Sequence, residues 1–469
     1  MKGMTLDVIC RVCGGTYTGD RSMLSREVSQ ITLDNRELKK DGLFVAICGE
    51  KVDAHRFIPA AYSAGALCCL GTEDMGELPG PYIRVVDTTE ALCRIAEQYI
   101  KNLGIPKIGI TGSVGKTSTK EAVSAILSAK YKVHKTEGNH NNELGVPITA
   151  FSMTEDDELA VFEMGIGGFG DMRRLTGVVH PDAAIITNIG VAHMQALGSR
   201  DGILKAKTEI FEGMDENGTV ILNGDDDKLV TVREVHGRKP LFFGIDNKEG
   251  VYADQIQEHG LKGTDCCIHG LKTADGASEL TVHIPIPGRH MIYNTMAALL
   301  AAQTFGLTSA QMLEGISRMK TIAGRQNLIQ AGGLLLIDDC YNANPVSMKS
   351  SIELLGTAEG RKAAILGDML ELGENTRAMH RDVGEFLAGK NIDLLLTVGE
   401  LGREIAAGAA SAKSDASDRP EIHSYDTKDE LFAELPELLR DGDTVLIKAS
   451  NGMGFAEIVE RLKKQEENG

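Results

Sequence analysis

The residues best suited to chemistry form a short glycine-rich loop that ends in Lys-Thr. An apolar strand-like run precedes the loop, and an amphipathic helical pattern follows it. The loop residues are Thr111, Gly112, Ser113, Val114, Gly115, Lys116, Thr117 and Ser118. Backbone N–H groups of such a loop converge on phosphate oxygens, while Lys116 adds positive charge and Thr117 can ligate Mg²⁺. Because Ile110 replaces the first glycine of the usual loop, the sequence predicts a shortened phosphate loop.

Size and charge limit what surrounds this loop. The chain of 469 residues is too long for one core and is expected to form about three domains. A net charge of −18 argues against unspecific nucleic-acid binding and against contact with anionic membrane surfaces. Apolar runs are shorter than a membrane span, and the N-terminus lacks a secretory pattern. We therefore expect no membrane insertion and a cytoplasmic location.

The nine cysteines are scattered and odd in number, which is typical of reduced and mostly buried thiols. Cys10 and Cys13 form a C-x-x-C pair that could bind zinc or take part in redox chemistry. No second such pair follows in the sequence, and no histidine pair stands nearby at ligand spacing. We interpret the two cysteines as small structural residues beside a glycine turn.

Hydrophobic patterning divides the chain into three regions, residues 1–103, 104–320 and 321–469. In the second region apolar strands alternate with helices, which predicts an α/β fold with a mostly parallel sheet. Its predicted strands are 107–110, 159–163, 183–189, 219–222 and 240–243, followed by a β-rich insert over about 250–287. The third region repeats the alternation, with predicted strands at 334–338, 363–366, 394–398 and 444–447.

Polar residues follow several of these strands, at the edge where open α/β sheets bind ligands. Glu163 ends one strand and is well placed to hold Mg²⁺ directly or through water. His193 follows the next strand, where a structural histidine and a ligand are equally compatible with the pattern. The acidic residues 225–227 are interpreted as a solvated turn. Polar turns at 337–345, 366–373 and 447–452 predict a second crevice in the third region.

Longer motifs carry a resemblance that covers essentially the whole chain. The segments are TLDNRELKKDGLFVAICGEKVDAHRFI, TGSVGKTSTKE, TEGNHNNELGVPIT, ITNIGVAHMQALGS, AKTEIF, DDCYNANPVSM and LGDMLELG. The chain resembles the Mur ligases, the ATP-dependent enzymes that form amide bonds in peptidoglycan precursor synthesis. All of them share the phosphate loop with folylpolyglutamate synthases, whereas GNHNNxxGVP and YNANPxSM resemble the member that adds a dipeptide. The tripeptide-forming member usually carries DYAHTP-like residues at this second motif and a DNPR-like motif that the sequence lacks.

The resemblance implies a fold and a reaction. Residues 1–103 would bind a uridine nucleotide sugar, residues 104–320 would form a P-loop ATPase-type domain, and residues 321–469 a Rossmann-like domain. The substrates would be ATP, UDP-N-acetylmuramoyl-tripeptide and D-alanyl-D-alanine, with Mg²⁺ as cofactor and a monomeric enzyme. ATP would phosphorylate the tripeptide carboxylate, and the dipeptide amine would then displace phosphate. Diaminopimelate and lysine at the third peptide position are both compatible with the motifs.

The resemblance also implies roles for individual residues. Thr117, Glu163 and His193 match magnesium ligands. Residues that match the ATP site outside the loop are Asn294, Arg325, Asp339 and Tyr341, with Arg325 reaching the γ-phosphate. Residues that match or adjoin the substrate-binding segments are Asp34, Asn35, Arg36, Asn139, Asn142, Asn342 and Asn344. The residues expected to act in catalysis are Lys116, His193, Lys207 and Arg325. Cys340 and Asn451 depart from the Ser and Arg that are usual at their positions.

Carbamylation of Lys207 is a separate hypothesis. The resemblance implies it, because a lysine of this AKxEI-like segment forms a carbamate with CO₂ in related ligases. Lys205 is the competing candidate, and an ordinary surface lysine is the alternative to both. We also expect a hinge near residues 318–324 that closes the third domain when ligands are bound. A nucleotide-binding switch protein is the alternative of a different class, and it would not need a sugar-binding domain.

Overall fold

The computed structural model describes residues 1–49, 52–191, 193–412 and 420–464. The chain forms two compact units, of which the first comprises residues 1–254, 267–282 and 293–318. The second comprises residues 255–266, 283–292 and the chain from 319 on. No helix of the described residues combines the length and the apolar character that crossing a bilayer requires.

The first sheet has five short strands and belongs to the first unit. The strands are β1 (Thr16–Thr18), β2 (Ile31–Thr32), β3 (Leu43–Val45), β4 (Cys68–Gly71) and β5 (Tyr82–Arg84), and the helices are α1 (Leu6–Val12), α2 (Ile58–Ser63) and α3 (Thr88–Leu103). The spatial order is β1-β5-β4-β3-β2, and only β1 runs antiparallel to its neighbour. Asp87 caps the start of α3, and Gly104, with φ of 68°, ends it.

The C-x-x-C pair lies at the end of α1, where its two cysteines make structural contacts. The Cys10 thiol donates to the Gly15 carbonyl oxygen at 3.1 Å, and Cys13 is buried. Burial raises the pKa of the Cys13 thiol to about 11, so the thiolate that metal binding needs is disfavoured. The interpretation of these cysteines as structural residues agrees with this geometry.

The second sheet has nine strands and also carries the glycine-rich loop. Its strands are β6 (Lys107–Thr111), β7 (Val133–Lys135), β8 (Leu159–Glu163), β9 (Ala183–Ile186), β10 (Thr219–Asn223), β11 (Leu241–Gly244), β12 (Val251–Glu258), β13 (Thr264–His269) and β14 (Glu279–Ile284). The helices are α4 (Lys116–Leu127), α5 (Gly145–Ser152), α6 (Asp171–Val179), α7 (Met194–Leu197), α8 (Arg200–Thr208), α9 (His290–Thr304) and α10 (Ser309–Ser317).

The strand order of this sheet is β14-β13-β12-β11-β10-β9-β6-β8-β7, and neighbours from β12 to β7 are parallel. β8 and β9 follow each other along the chain, but in the sheet β6 lies between them. Because the central strands β9, β6 and β8 are parallel, their carboxyl ends lie together at one edge of the sheet. The predicted α/β architecture is confirmed. One predicted strand, 183–189, ends three residues early at Ile186, because the next two side chains turn toward the glycine-rich loop.

The third sheet lies in the second unit. Its strands are β15 (Asn327–Ala331), β16 (Leu334–Asp338), β17 (Lys362–Gly367), β18 (Leu394–Val398), β19 (Glu421–Tyr425) and β20 (Thr444–Lys448), and its helices are α11 (Pro345–Gly356), α12 (Thr376–Leu387), α13 (Gly402–Ser411), α14 (Lys428–Leu438) and α15 (Ala456–Lys464). The order is β15-β16-β20-β17-β18-β19, and only β15 is antiparallel to its neighbour. Such a helix-covered, mostly parallel sheet is the Rossmann-like arrangement that the resemblance implied.

Candidate functional site

The glycine-rich loop connects β6 to α4 and has a conformation that only its glycines allow. Gly112 has φ of 152°, and a Cβ placed there would lie 1.9 Å from the Thr187 hydroxyl oxygen. Gly115 has φ of 84° and directly precedes the first residue of α4. A residue with a side chain at either position would strain the backbone, which explains the glycine spacing in the sequence.

Residues after β9 hold this loop in place. The Val114 N–H donates to the Asn188 side-chain oxygen at 3.0 Å, and the Thr187 hydroxyl donates to the Val114 carbonyl at 2.6 Å. The Ser113 hydroxyl accepts from the Gly190 N–H at 2.9 Å. These bonds hold the loop in one conformation, and a loop held in this way loses less conformational entropy when it binds a ligand.

Lys116 and Thr117 are the first two residues of α4. The Lys116 ammonium donates to the Gly112 carbonyl oxygen at 2.9 Å, so it lies across the loop. Asn294 in α9 is buried beside this helix, and its side-chain oxygen accepts from the Thr119 hydroxyl at 3.0 Å. The structure therefore places Asn294 next to the phosphate loop, and its expected place near the adenine of ATP stays a prediction.

Glu163, at the end of β8, is 2% exposed and has one carboxylate oxygen without a partner in the described part of the chain. The other oxygen accepts from the Asn141 side-chain amide at 2.9 Å. The Thr111 hydroxyl on neighbouring β6 is a second buried oxygen that finds no partner among the described residues. Unpaired buried oxygens are costly, and hard oxygen donors beside a phosphate loop fit Mg²⁺.

His193 lies in the loop after β9, directly before α7. Its φ is 63°, a left-handed conformation, and the residue is exposed. An exposed histidine in this strained conformation contributes little to a core, which favours the ligand interpretation over the structural one.

Lys207, in α8, is 1% exposed, whereas Lys205 in the same helix is exposed over the Phe169 ring. Burial and the positive charge of Lys116 lower the pKa of Lys207 to about 7. The description of a surface lysine therefore fits Lys205 and not Lys207. A lysine with this pKa is present as the neutral amine in a substantial fraction of molecules near neutral pH.

The acidic turn after β10 is not a simple solvated turn. The Asp225 carboxylate accepts from the backbone N–H groups of Ile245 and Asn247 at 2.6 Å each, and from the Tyr293 hydroxyl at 2.8 Å. The Asp226 carboxylate accepts from the Ile189 N–H at 2.7 Å. The turn thus anchors β11, α9 and the loop after β9. Charge content alone could not show this, because the backbone donors come from distant segments.

The nucleotide-sugar residues predicted near the N-terminus lie after β2. The Arg36 guanidinium forms a bidentate ion pair with Asp34 and holds the pKa of that carboxyl at about 2. Arg36 is largely exposed, and Asn35 lies between the two charged residues. The loop therefore presents an ordered, charged surface that a ligand can reach.

The polar turns of the third sheet meet around a buried ion pair. The Lys448 ammonium, at the end of β20, donates to the Asp339 carboxylate at 2.6 Å and to the Asn342 carbonyl at 3.1 Å. The Ser450 hydroxyl accepts from the Leu370 N–H at 2.9 Å. The three strand ends that the sequence grouped into a crevice are thus in direct contact.

Other predicted residues of this region have well-defined partners. The Arg325 guanidinium stacks on the Tyr341 ring at 4.1 Å. The Asn344 side chain caps α11 through the Ser347 N–H at 2.9 Å, so its amide is engaged in the fold. Asn139 and Asn142 are exposed, and the Asn142 oxygen accepts from backbone N–H groups at the start of α5.

Sequence reasoning missed two residues of the site. Asn141 contacts Glu163, although its neighbours in the GNHNN segment were chosen, and nothing in the pattern distinguishes the three asparagines. Lys448 pairs with Asp339, although a lysine that ends an apolar strand is more often exposed. The signal that could have identified it was the short polar turn directly after the strand.

Comparison with known proteins agrees with these features. Residues 110–302 match the Mur ligase middle domain, and residues 324–451 match the Mur ligase glutamate ligase domain. A Bacillus subtilis protein named UDP-N-acetylmuramoyl-tripeptide–D-alanyl-D-alanine ligase is 38% identical over 92% of each chain. MurF from Acinetobacter baumannii has a TM-score of 0.88 at 28% identity, over 98% of this chain and 99% of that one. MurF ligase from Thermotoga maritima, solved in complex with ADP, has a TM-score of 0.80 at 28% identity, over 94% and 98% of the two chains. The chain belongs to the Mur ligase family.

Proposed function

We propose that the chain joins D-alanyl-D-alanine to the terminal carboxylate of UDP-N-acetylmuramoyl-tripeptide in an ATP-dependent reaction. The observation that carries this proposal is the hydrogen bond between Asn141 and Glu163. It connects the GNHNN segment, which resembles the dipeptide-adding ligases, to the carboxylate beside the phosphate loop. The name of the Bacillus subtilis relative supports the same reaction.

The reaction needs activation because a carboxylate will not acylate an amine at neutral pH. Transfer of the γ-phosphoryl group of ATP to the tripeptide carboxylate forms an acyl phosphate and releases ADP. The neutral amine of the dipeptide then attacks the carbonyl carbon, and phosphate leaves as the amide forms. The fixed N–H groups of the loop and the charge of Lys116 would stabilise the negative charge on the transferring group.

Thr117, Glu163 and His193 are the residues that would hold Mg²⁺. When bound, the ion neutralises phosphate charge and lowers the barrier to phosphoryl transfer. The unpaired Glu163 oxygen supplies the hard, anionic donor that such an ion requires. The Asn141 amide keeps this carboxylate turned in one orientation.

Lys207 would serve the same centre as a carbamate. Its neutral amine can attack CO₂, forming an N–C bond and releasing one proton to solvent. The carbamate product is an anion. Its formation therefore replaces a buried positive charge near Lys116 with a negative charge that attracts both the Lys116 ammonium and a metal ion. The lowered pKa of Lys207 supports this step, because only the unprotonated amine reacts.

The remaining assignments follow from the resemblance and form part of the proposal. Residues 1–103, with Asp34, Asn35 and Arg36, would bind the uridine nucleotide sugar. The domain beginning at residue 321 would supply Arg325, Asp339 and Tyr341 to ATP, and Asn342 and Asn344 near the acceptor. All nine cysteines are free thiols, which suits work in the reducing cytoplasm.

The test is the dependence of ADP release on both acceptors. With Mg²⁺ and ATP, ADP should accumulate only when the tripeptide precursor and D-alanyl-D-alanine are both present. Release of ADP without either substrate would instead favour a nucleotide-dependent switch. Equal release with a single amino acid would favour the tripeptide-forming or folylpolyglutamate type of ligase.

A further inference from the structure

The β-rich insert after β11 carries a cluster of ligand-type side chains that the ligase reaction does not use. Asp254 lies on β12, and Cys267 and His269 lie on β13. Their ligand atoms are all within 4.8 Å of one another. Three strands separate β12 from β6, which leads into the phosphate loop, so the cluster is outside the site described above.

Strand geometry puts these groups on one face of the sheet. Cys267 and His269 are two residues apart on β13, and side chains at that spacing point to the same side. The imidazole Nε2 of His269 lies 2.9 Å from an Asp254 carboxylate oxygen, and the Tyr252 ring stacks on the imidazole at 4.9 Å. The hydrogen bond and the ring contact hold the imidazole in one orientation.

The second nitrogen of His269 also has a partner. Its Nδ1 lies 3.4 Å from a carboxylate oxygen of Glu279 on β14. A histidine that presents Nε2 to a metal while Nδ1–H donates to a carboxylate is a common arrangement in metal sites, because the carboxylate fixes the tautomer. A donor set of thiolate, imidazole and carboxylate binds zinc in preference to magnesium or calcium, which favour oxygen ligands.

We propose that Asp254, Cys267 and His269 bind a Zn²⁺ ion, with Glu279 orienting the imidazole and water completing a tetrahedral site. The ion takes the position between His269 Nε2 and the Asp254 carboxylate oxygen. These two atoms are 2.9 Å apart and need to move to roughly 3.3 Å to be ligands of one tetrahedral ion. The Cys267 thiol gives up its proton to solvent on binding. The bound ion links β12 to β13 and stabilises the insert.

The experiment titrates the metal-free, full-length chain with Co²⁺ and then with Zn²⁺, in buffer without nucleotide. One equivalent of Co²⁺ should produce the near-ultraviolet absorption of a cobalt–thiolate bond, and Zn²⁺ should abolish it. Cys267→Ser and His269→Gln should each lose this band and weaken Zn²⁺ binding by roughly 100-fold or more. Glu279→Gln should weaken binding by roughly tenfold and keep the band.

Cys266→Ser is the matched control, because the neighbouring cysteine points to the opposite side of β13. This variant should keep both the band and the affinity of the wild-type chain. Zn²⁺ should raise the melting temperature of the wild type and of Cys266→Ser, but not that of His269→Gln. Absence of the thiolate band in the wild type, or equal Zn²⁺ affinity in the wild type and His269→Gln, would overturn the proposal. Ligase activity measured with Mg²⁺ should be unchanged in His269→Gln, so this test is independent of the proposed function.

Discussion

At the scale of single residues, the site contains two lysines whose surroundings give them opposite properties. Lys116 lies across the phosphate loop, where its ammonium donates to the Gly112 carbonyl oxygen. Lys207 is buried, and the neighbouring charge of Lys116 helps to lower its pKa to about 7. One lysine is therefore suited to neutralising phosphate, and the other to reacting as a neutral amine.

Lys116→Ala should abolish ligation with little loss of fold, because this lysine is only half buried and its removal leaves no core cavity. We expect ADP release to fall by roughly 100-fold or more. The thermal unfolding curve should stay close to that of the wild type. Lys205→Ala, which removes an exposed lysine, is the control and should retain activity. Substantial turnover in Lys116→Ala would remove this lysine from the mechanism.

Lys207→Met should lose turnover, keep binding of the uridine substrate and gain stability. Because the folded-state pKa of about 7 lies below the ordinary 10.5, the unfolded chain holds an extra proton between these values. The stability of the wild type should therefore rise as the pH increases from about 7 to 10.5. Below pH 7 the buried amine is protonated in the folded chain as well, so the full cost of burying its charge is present there. In CO₂-free, Mg²⁺-free buffer below pH 7, the variant should be more stable by on the order of 1–5 kcal/mol. Near-normal turnover in this variant would end the carbamate hypothesis.

At the scale of elements, strand ends determine which side chains meet. The ends of β8, β6 and β9 bring Glu163, the phosphate loop and Thr187 to one edge of the second sheet. The ends of β16 and β20 bring Asp339 and Lys448 together in the third sheet. Hydrogen bonds to backbone carbonyls cross both edges, from Thr187 to Val114 in the second sheet and from Lys448 to Asn342 in the third.

Asn141→Ala should change how the enzyme responds to magnesium. Loss of the amide leaves the Glu163 carboxylate free to rotate, so the Mg²⁺ concentration for half-maximal ADP release should rise by roughly tenfold. Saturating Mg²⁺ should restore much of the rate. Asn142→Ala loses bonds to backbone N–H groups instead, and it should cost about 1 kcal/mol of stability without moving the Mg²⁺ midpoint. An unchanged midpoint in Asn141→Ala would mean that this amide does not orient a metal ligand.

Lys448→Met should destabilise the second unit. The substitution leaves the buried Asp339 carboxylate without its cation, which typically costs about 3–5 kcal/mol. Denaturant unfolding should show this loss, and the double variant Lys448→Met with Asp339→Leu should recover a large part of it. If Lys448→Met unfolds at the same denaturant concentration as the wild type, the ion pair does not hold these strand ends together.

The sequence predicted strand bounds correctly where a strand is continuously apolar, and less well where a side chain near the strand end bonds to a loop. Strands β16 and β18 begin and end where hydrophobic patterning predicted. The strand β9 is shorter than predicted, because Thr187 bonds to the phosphate loop although apolar residues continue beyond it. The antiparallel strand β15 was missed because it is short and only partly buried. Asn141 could not be distinguished from Asn139 and Asn142, since its role depends on a contact with Glu163, 22 residues away in the sequence.

At the scale of the whole molecule, each of the three sheets has polar residues at its strand ends or in adjoining loops. The similarity to MurF from Acinetobacter baumannii extends over 98% of the chain, so all three sheets have counterparts there. A net charge of −18 makes the overall electrostatic field of the chain unfavourable for anions, so under the proposed function local cationic groups such as Lys116 would have to attract the substrates.

The most direct measurement of the central claim is the mass of the product formed in a competition. The chain is incubated with ATP, Mg²⁺, a UDP-N-acetylmuramoyl-tripeptide and an equimolar mixture of D-alanyl-D-alanine and single amino acids. We expect one nucleotide product, which is heavier than the precursor by a D-alanyl-D-alanine residue, together with one ADP for each amide formed. A product extended by a single amino acid, or ADP without any extended product, would contradict the account.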